Sequence, residues 1–304
     1  MRTEHYFDSQ GKGKIHYVKW APQVQPKAIV QIIHGIAEHA GRYEDLAAYL
    51  NSQDILVVAE DHMGHGLSMK TGTQGYFDGG WFTAAADCHK LTELTMEEYP
   101  NVPYILYGHS MGSFLARTLL VEYPDSGIAG AIICGTGWMS GAVLKAGLTA
   151  CGLLCKKGEK EPSQLLNKLV FGGYNKRVEH QRTSSDWLSR DDGSVDAYIA
   201  DPLCGFIASS GLMRDMLTGI THIQKPENLA KMQKQLPVFF IAGGDDPVGD
   251  YGKGVRQAAQ EFEKEAGMEK VAIRIYPLCR HEIHNEINRQ EVYEDVSQWI
   301  ESVI

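Results

Sequence analysis

Positive charge is scarce in this chain. Lys and Arg number 29 against 38 Asp and Glu, which leaves a net charge of −9 at pH 7 and a pI near 5.7. Proteins that grip a phosphate backbone show a basic face, so this balance argues against a nucleic-acid partner and leaves neutral or apolar substrates open. Cysteine is sparse as well. Cys88, Cys134, Cys151, Cys155, Cys204 and Cys279 are scattered through 304 residues, unlike the dense spacing of a small disulfide scaffold. Several sit in apolar runs such as Ile132-Ile133-Cys134 and read as small buried hydrophobes, reduced thiols in a cytoplasmic setting. Long uninterrupted apolar runs are missing too. The longest, Trp138 to Cys155, is broken by Lys145 and by glycines and is a poor candidate for a span of about 20 apolar residues. Met1 to Gln10 is polar and carries Glu4 and Asp8, without the basic start and apolar stretch of a secretory signal. No internal repeat or low-complexity tract is visible.

What is present is enough apolar material, 43% of the residues, for a chain of this length to bury roughly 75% of its unfolded surface. Short apolar runs alternate with helical stretches. The runs are Ile15–Trp20, Ala28–Ile33, Ile55–Ala59, Tyr104–Tyr107, Ile128–Cys134, Val238–Ala242 and Val271–Tyr276. Continuous runs such as Ala28–Ile33 suit strands of a mostly parallel sheet covered on both faces, an α/β arrangement. The segments flanking Gly11–Gly13 read as an antiparallel hairpin at the edge. Helices are expected at Tyr43–Asn51, Thr83–Tyr99, Met111–Tyr123, Lys253–Ala266 and Arg289–Val303, with Pro100 and Pro124 as stop signals. The rhythm fails between about Thr136 and Pro226, which reads as an insertion above the sheet. The expected organisation is a core of residues 1–135 and 226–304 with a cap at 136–225.

The strongest local signal is Gly108-His109-Ser110-Met111-Gly112. It fits G-x-S-x-G, follows the run Tyr104–Tyr107 and opens a helical stretch, the strand–turn–helix context of a nucleophile elbow. Ser110 is the expected nucleophile. The helix start offers backbone N–H groups to a developing oxyanion.

A serine nucleophile needs a base and a group that orients the base. After the run Val238–Ala242 come Gly243-Gly244-Asp245-Asp246-Pro247-Val248. Asp246 is the preferred acid, since its spacing from Gly243 fits G-x-x-D-x-V, common in this fold. Asp245 stays the alternative, otherwise a solvated or turn-capping carboxylate. After the run Val271–Tyr276, His281 is the first histidine and the preferred base. His284, three residues on, is the alternative, or else a support for the loop. The second oxyanion donor belongs to the loop His34-Gly35-Ile36, so Ile36 and Met111 are the expected amides.

These segments resemble one branch of the α/β-hydrolases. His34-Gly35 through Glu38-His39 and Arg42-Tyr43, then Asp61-His62-Met63-Gly64-His65-Gly66-Leu67-Ser68, then Gly108–Gly112 and Arg280–Glu286 are similar to the motifs of monoacylglycerol lipases and lysophospholipase-like proteins, in order over nearly the whole chain. The segment 136–225 matches no motif. The resemblance implies an α/β-hydrolase fold with an inserted cap. It also implies a serine hydrolase acting on monoacylglycerols, lysophospholipids or short acyl esters, without a cofactor.

Rival readings have weaker support. The pairs His62/His65, His34/His39 and His281/His284 form neither H-E-x-x-H nor a zinc spacing. A prolyl-aminopeptidase-like activity needs cap carboxylates for a free amine, for which Glu159, Glu161 and Glu179 are available. A non-hydrolytic receptor on this fold would not need an intact triad. The apolar residues of Trp138–Cys155 either pack on the core or form a lid surface that meets lipid aggregates.

Overall fold

The computed structural model describes residues 1–304, apart from the side chains of Lys70 and Thr71. Eight strands form one sheet: β1 (Arg2–Asp8), β2 (Lys14–Trp20), β3 (Ala28–Ile33), β4 (Ile55–Glu60), β5 (Tyr104–His109), β6 (Ile128–Cys134), β7 (Val238–Gly243) and β8 (Val271–Tyr276). Their order is β1-β2-β4-β3-β5-β6-β7-β8. The β1–β2 hairpin and the β2–β4 pair are antiparallel, and every pair from β4 onward is parallel.

The sheet separates two apolar cores because side chains alternate along each strand. Ile29 and Ile33 of β3 join Tyr104 and Leu106 of β5 in one core; Val30, Ile32, Ile105 and Tyr107 point into the other. The first core is covered by α2 (Trp81–Glu98), α3 (Met111–Glu122) and α9 (Lys253–Lys264). The second is covered by α1 (Glu44–Ser52) and α10 (Arg289–Val303). Both faces are therefore buried, which is why the central strands read as continuous apolar runs.

Strand and helix positions follow the sequence expectations closely. Helix α2 starts at Trp81 rather than Thr83, and tertiary anchoring accounts for it. The Trp81 indole donates to Thr118 Oγ1 at 3.0 Å and packs where a methyl on Gly219 would come within 2.1 Å of the ring.

Between β6 and β7 the chain contributes no strand to the sheet. It forms α4 (Gly141–Cys155), α5 (Gln164–Phe171), α6 (Asp192–Ala200), α7 (Ser210–Ile223) and the short α8 (Pro226–Leu229). Ser140, Ser163, Asp191 and Ser209 cap the first four of these by accepting from amides in the first turn, as preferred N-cap residues do. Helix α4 packs on α7, and α7 on α2 and α3. All six cysteines are unpaired. Among the described residues no helix is long and apolar enough to cross a membrane.

Candidate active site

Strand β5 ends at His109 and α3 begins at Met111, so Ser110 alone makes the turn, at φ +53° and ψ −121°. For a non-glycine residue such a backbone costs on the order of 1–3 kcal/mol and persists only where its surroundings enforce it. Here the Ser110 amide donates to the Cys134 carbonyl at 3.0 Å, and the Ser110 carbonyl accepts from Ser113 N at 2.9 Å. Gly112 permits the close approach behind the turn. A methyl there would lie 1.9 Å from the Ile33 carbonyl oxygen, a collision that only glycine avoids.

The loop after β3 lies against the serine. A methyl on Gly35 would come 3.0 Å from Ser110 Cβ. Ile36 follows, and Met111 is the first residue of α3, whose amide has no acceptor inside the helix. Among the described residues neither amide has a hydrogen-bond acceptor, so both can donate to an anion.

The expected acid and base converge from the ends of β7 and β8. His281 Nδ1 donates to Asp246 Oδ2 at 3.0 Å, and Asp246 Oδ1 accepts from Val248 N at 2.8 Å. Both residues are buried, whereas Asp245 is exposed; the structure thus separates the two neighbouring aspartates. Burial disfavours the imidazolium, but the Asp246 carboxylate outweighs it, so the His281 pKa lies above its ordinary value. Ser110 and His281 line one cavity of about 500 Å³. Among the described residues no hydrogen bond joins Ser110 Oγ to the ring. Catalytic contacts of this kind are often long without substrate.

His284 sits apart from this pair. Its ring stacks on Tyr43 with centroids 4.7 Å apart. It is buried with neither ring nitrogen bonded, and burial pushes its pKa down to about 3. It is packing beneath the loop.

A second polar layer joins the site. Glu38 accepts from the Gly35 amide, from Tyr43 Oη at 2.9 Å, from His109 Nδ1 at 3.2 Å and from Arg42 at 2.9 Å. Burial alone would raise its pKa; the His109 hydrogen bond and the Arg42 charge hold it well below the ordinary value. Arg42 also pairs with Glu282, next to His281, and its guanidinium carbon lies 4.8 Å from the Tyr198 ring centre.

The remaining cavity wall comes from the segment between β6 and β7, including Phe171, Trp187, Leu188, Tyr198 and Phe206. The Trp187 ring lies 5.1 Å from that of His281. Backbone bonds fix this wall to the histidine loop: His281 N to the Trp187 carbonyl at 3.3 Å and Glu282 N to the Leu188 carbonyl at 2.7 Å. None of the Trp138–Cys155 residues lines the cavity. Of the acids considered for an amine substrate, Glu159 instead accepts from Tyr76 and Arg214, and neither Glu161 nor Glu179 lines the cavity.

The histidine pairs flagged by spacing are used structurally. The rings of His34 and His62 lie against each other, tilted by 35° with centroids 3.9 Å apart. His34 Nε2 accepts from the His62 amide, His62 Nε2 donates to the His34 carbonyl, and His65 Nδ1 donates to the Met63 carbonyl. His39 bonds Asp201 instead of pairing with His34. Asp61 organises the same loop by accepting from His16 and from the Ala40 and Leu67 amides, each at 2.8 Å. The groups whose donor atoms do lie within 4.8 Å of one another are His109/Cys134/His284, His39/Asp201/Cys204 and Glu60/His62/Cys88.

Five expected residues, Ser110, Asp246, His281, Ile36 and Met111, therefore meet at one sheet edge. Sequence reasoning quoted Glu38 and Arg42 in a motif without giving them roles. It missed Trp187 and Tyr198, which lie in the stretch that carries no motif.

The chain is similar to several known proteins. Residues 24–288 match the family described as serine aminopeptidase, S33. The chain is 29% identical to the monoacylglycerol lipase of Mycolicibacterium smegmatis over 304 residues, covering 99% of this chain and 98% of the relative. It is 27% identical to human monoglyceride lipase, covering 92% and 84%. A thermostable carboxyl esterase from Bacillus coagulans, solved with glycerol, superposes with a TM-score of 0.91 at 31% identity, covering 99% and 98%.

Proposed function

The chain belongs to the serine aminopeptidase S33 family, in its monoacylglycerol lipase-like branch of α/β-hydrolases, and from that premise we propose that it cleaves monoacylglycerols and related single-chain acyl esters through an acyl-enzyme on Ser110. The supporting observation is that His281, bonded to Asp246, faces the same cavity as a serine held on a strained elbow.

In the proposed reaction, His281 Nε2 takes the proton from Ser110 as Oγ attacks the ester carbonyl. Asp246 balances the imidazolium and fixes Nδ1 as the donor. The Ile36 and Met111 amides hold the oxyanion. Collapse breaks the C–O bond, and His281 hands its proton to the leaving alcohol. Water, deprotonated by His281, then attacks the acyl-enzyme; the C–Oγ bond breaks, His281 returns the proton to Ser110 Oγ, and the acid is released.

The cavity lining supports the substrate class. Glu38 and His109 line it from the core, while the segment above supplies the apolar Phe171, Leu188 and Phe206 together with polar residues such as Asn167, Asn175 and Gln181. In this reading a glycerol-type headgroup meets Glu38 and His109 and the acyl chain runs along Phe171, Leu188 and Phe206, with residues 136–225 acting as the cap. Exposed Leu153, Leu165 and Leu169 on α4 and α5 are the proposed contact with lipid aggregates. Six unpaired cysteines fit a cytoplasmic setting. Lys168 and Lys176 also line the cavity, which favours lysophospholipids as a second substrate class, since an ammonium group can receive a phosphate.

The test is a panel of monoacylglycerols, a lysophospholipid, p-nitrophenyl esters and a prolyl-arylamide, with Ser110→Ala alongside. Ester hydrolysis that falls on the order of 10⁶-fold in the variant is expected. Preference for the arylamide, or a Ser110→Ala enzyme retaining a tenth of the turnover, would overturn the proposal.

A further inference from the structure

Arg117, two turns into α3 from the nucleophile, is fully buried and makes no ion pair among the described residues. Its Nη1 donates to the Gly137 carbonyl at 3.1 Å and to Thr136 Oγ1 at 3.3 Å. Its Nε and Nη2 have no partner. The guanidinium carbon is boxed by the rings of Phe114, Trp138 and Phe262, at 5.9, 5.6 and 5.6 Å from their centres. Burial pushes its pKa down to about 9, so it is charged at neutral pH. A lone buried cation is costly, and an apolar side chain of similar volume is normally as good or better for stability. Packing alone therefore gives no reason for an arginine here.

The groups it holds lead to the acid. A methyl on Gly137 would lie 2.6 Å from the Val248 carbonyl oxygen, so the two backbones are in direct contact. A methyl on Gly249 would lie 3.1 Å from the Thr136 carbonyl oxygen, and one on Gly254 would lie 3.0 Å from the Trp138 amide nitrogen. The segment 136–138 is thus wedged between Arg117 on one side and the turn 246–249 and α9 on the other. Val248 N in turn donates to Asp246 Oδ1 at 2.8 Å, and Asp246 Oδ2 accepts from His281 at 3.0 Å. One physical path runs from the guanidinium through Gly137 and Val248 to the carboxylate beneath the base.

We infer that Arg117 is a positioning residue for the acid, clamping residues 136–138 against the turn 246–249 so that Asp246 is held in line with His281. It does not line the cavity and touches no reacting atom. The role needs a donor that reaches the Gly137 carbonyl from inside an apolar box. Arg supplies one, with cation–π contacts offsetting part of its desolvation. The inference rests on the reading of Asp246 and His281 as acid and base.

The experiment is a kinetic panel on the full chain with a p-nitrophenyl ester: Arg117→Met, Arg117→Lys, Gly137→Ala and Asp246→Asn, each with kcat, KM and kcat/KM against pH. The titratable groups around His281 are Asp246, Glu282, Glu38 and His109; of these only Asp246 lies on the path. A loosened Asp246 stabilises the imidazolium less, so the acidic limb should move to lower pH. Arg117→Met is expected to lower kcat roughly tenfold, as a small misplacement of a catalytic group does. It should move the limb down by roughly half a pH unit and leave KM within about twofold. Arg117→Lys should recover part of both effects, because an ammonium can still donate to the Gly137 carbonyl. Gly137→Ala, which pushes on Val248 without touching the guanidinium, should give the same signature. An Arg117→Met enzyme with unchanged kcat and limb, even at a lower melting temperature, would reduce Arg117 to packing and overturn the inference. If Arg117→Met fails to fold, the other two variants decide, and an unmoved limb in Gly137→Ala overturns it. Loss in Asp246→Asn alone defeats this inference and leaves the proposed function standing; full activity in Asp246→Asn defeats both.

Discussion

Arg42 holds Glu282 with both arms of its guanidinium, Nη2 to Oε2 at 2.7 Å and Nη1 to Oε1, and keeps a further bond of 2.9 Å to Glu38. The three side chains are almost wholly buried. They tie the loop after β3, which carries Ile36, to the loop after β8, which carries His281. Removing the cation strands two carboxylates in a low-dielectric layer. Arg42→Met should therefore cost about 3–5 kcal/mol of stability, the usual penalty for breaking a buried pair from one side. Arg42→Lys should recover only part, since an ammonium cannot fork across two carboxylates. Urea unfolding of the three proteins measures this, and a loss below 1 kcal/mol in Arg42→Met would show the network to be incidental.

Asp245 and Asp246 are sequence neighbours with opposite surroundings, one exposed and one buried against His281. Asp246→Asn should cut turnover on the order of 10⁴-fold, because an amide neither balances the imidazolium nor enforces its tautomer. Asp245→Asn should stay within about threefold of wild type, as surface changes do. Steady-state kinetics near pH 8, with circular dichroism to check folding, compares them; a crippled Asp245→Asn would reverse the assignment.

The sheet was legible because its strands are buried on both faces and so appear as unbroken apolar runs such as Ala28–Ile33. The elbow was legible because Gly112 has no room for a methyl against Ile33, and that constraint is written as a motif. The pairing of Glu38 and Glu282 through Arg42 was not legible, since it spans |i−j| of 240 and no local period encodes it. Nor were Trp187 and Tyr198, whose positions depend on how the helices between β6 and β7 settle on the histidine loop. The stretch Trp138–Cys155 reads from its composition either as packing on the core or as a lid surface. Its helix α4 packs on α7 away from the cavity, and amphipathic composition alone could not say which neighbour it would find.

Four buried histidines make the fold acid-sensitive. Burial holds His62 at about 4, His65 and His284 at about 3, and His34 well below its ordinary value. Each is neutral in the folded state and gains a proton more readily when unfolded. Their contribution is complete above about pH 6.5, the unfolded value, and is lost as pH falls towards the folded pKa values. Two buried acids work in the opposite sense. Glu60 is raised to about 7 and Asp87 to about 6, so both favour the folded state on acidification. Four protons against two leave a net loss between about pH 6.5 and 4.5. Thermal melts from pH 8 to 5 should show a falling midpoint below pH 6.5; a constant midpoint across that range would contradict the burial of these rings.

Acyl-chain selectivity should map to the residues that line the cavity and spare those of α4. Phe171 at the end of α5 lines it and packs near Trp187, with ring centroids 6.1 Å apart at 25°. Truncating an aromatic that covers an acyl chain removes about 1.5–3 kcal/mol of apolar burial, or on the order of 10- to 100-fold in kcat/KM. Phe171→Ala should therefore depress long-chain esters by that factor and leave acetate esters, which do not reach it, within about twofold. Leu153 on α4 is 59% exposed and lines nothing, so Leu153→Asp should leave dissolved substrates of every length unchanged. It should slow only turnover of emulsified or micellar substrate, where an apolar surface must meet a lipid interface and a charge opposes that contact. The measurement is a chain-length series run below and above each substrate's aggregation threshold. Equal losses for acetate and long-chain esters in Phe171→Ala would take the acyl chain out of this cavity wall. An unchanged response to micelles in Leu153→Asp would leave the outer face of α4 without a lipid role and move that contact to α5, where Leu165 and Leu169 present the neighbouring apolar surface.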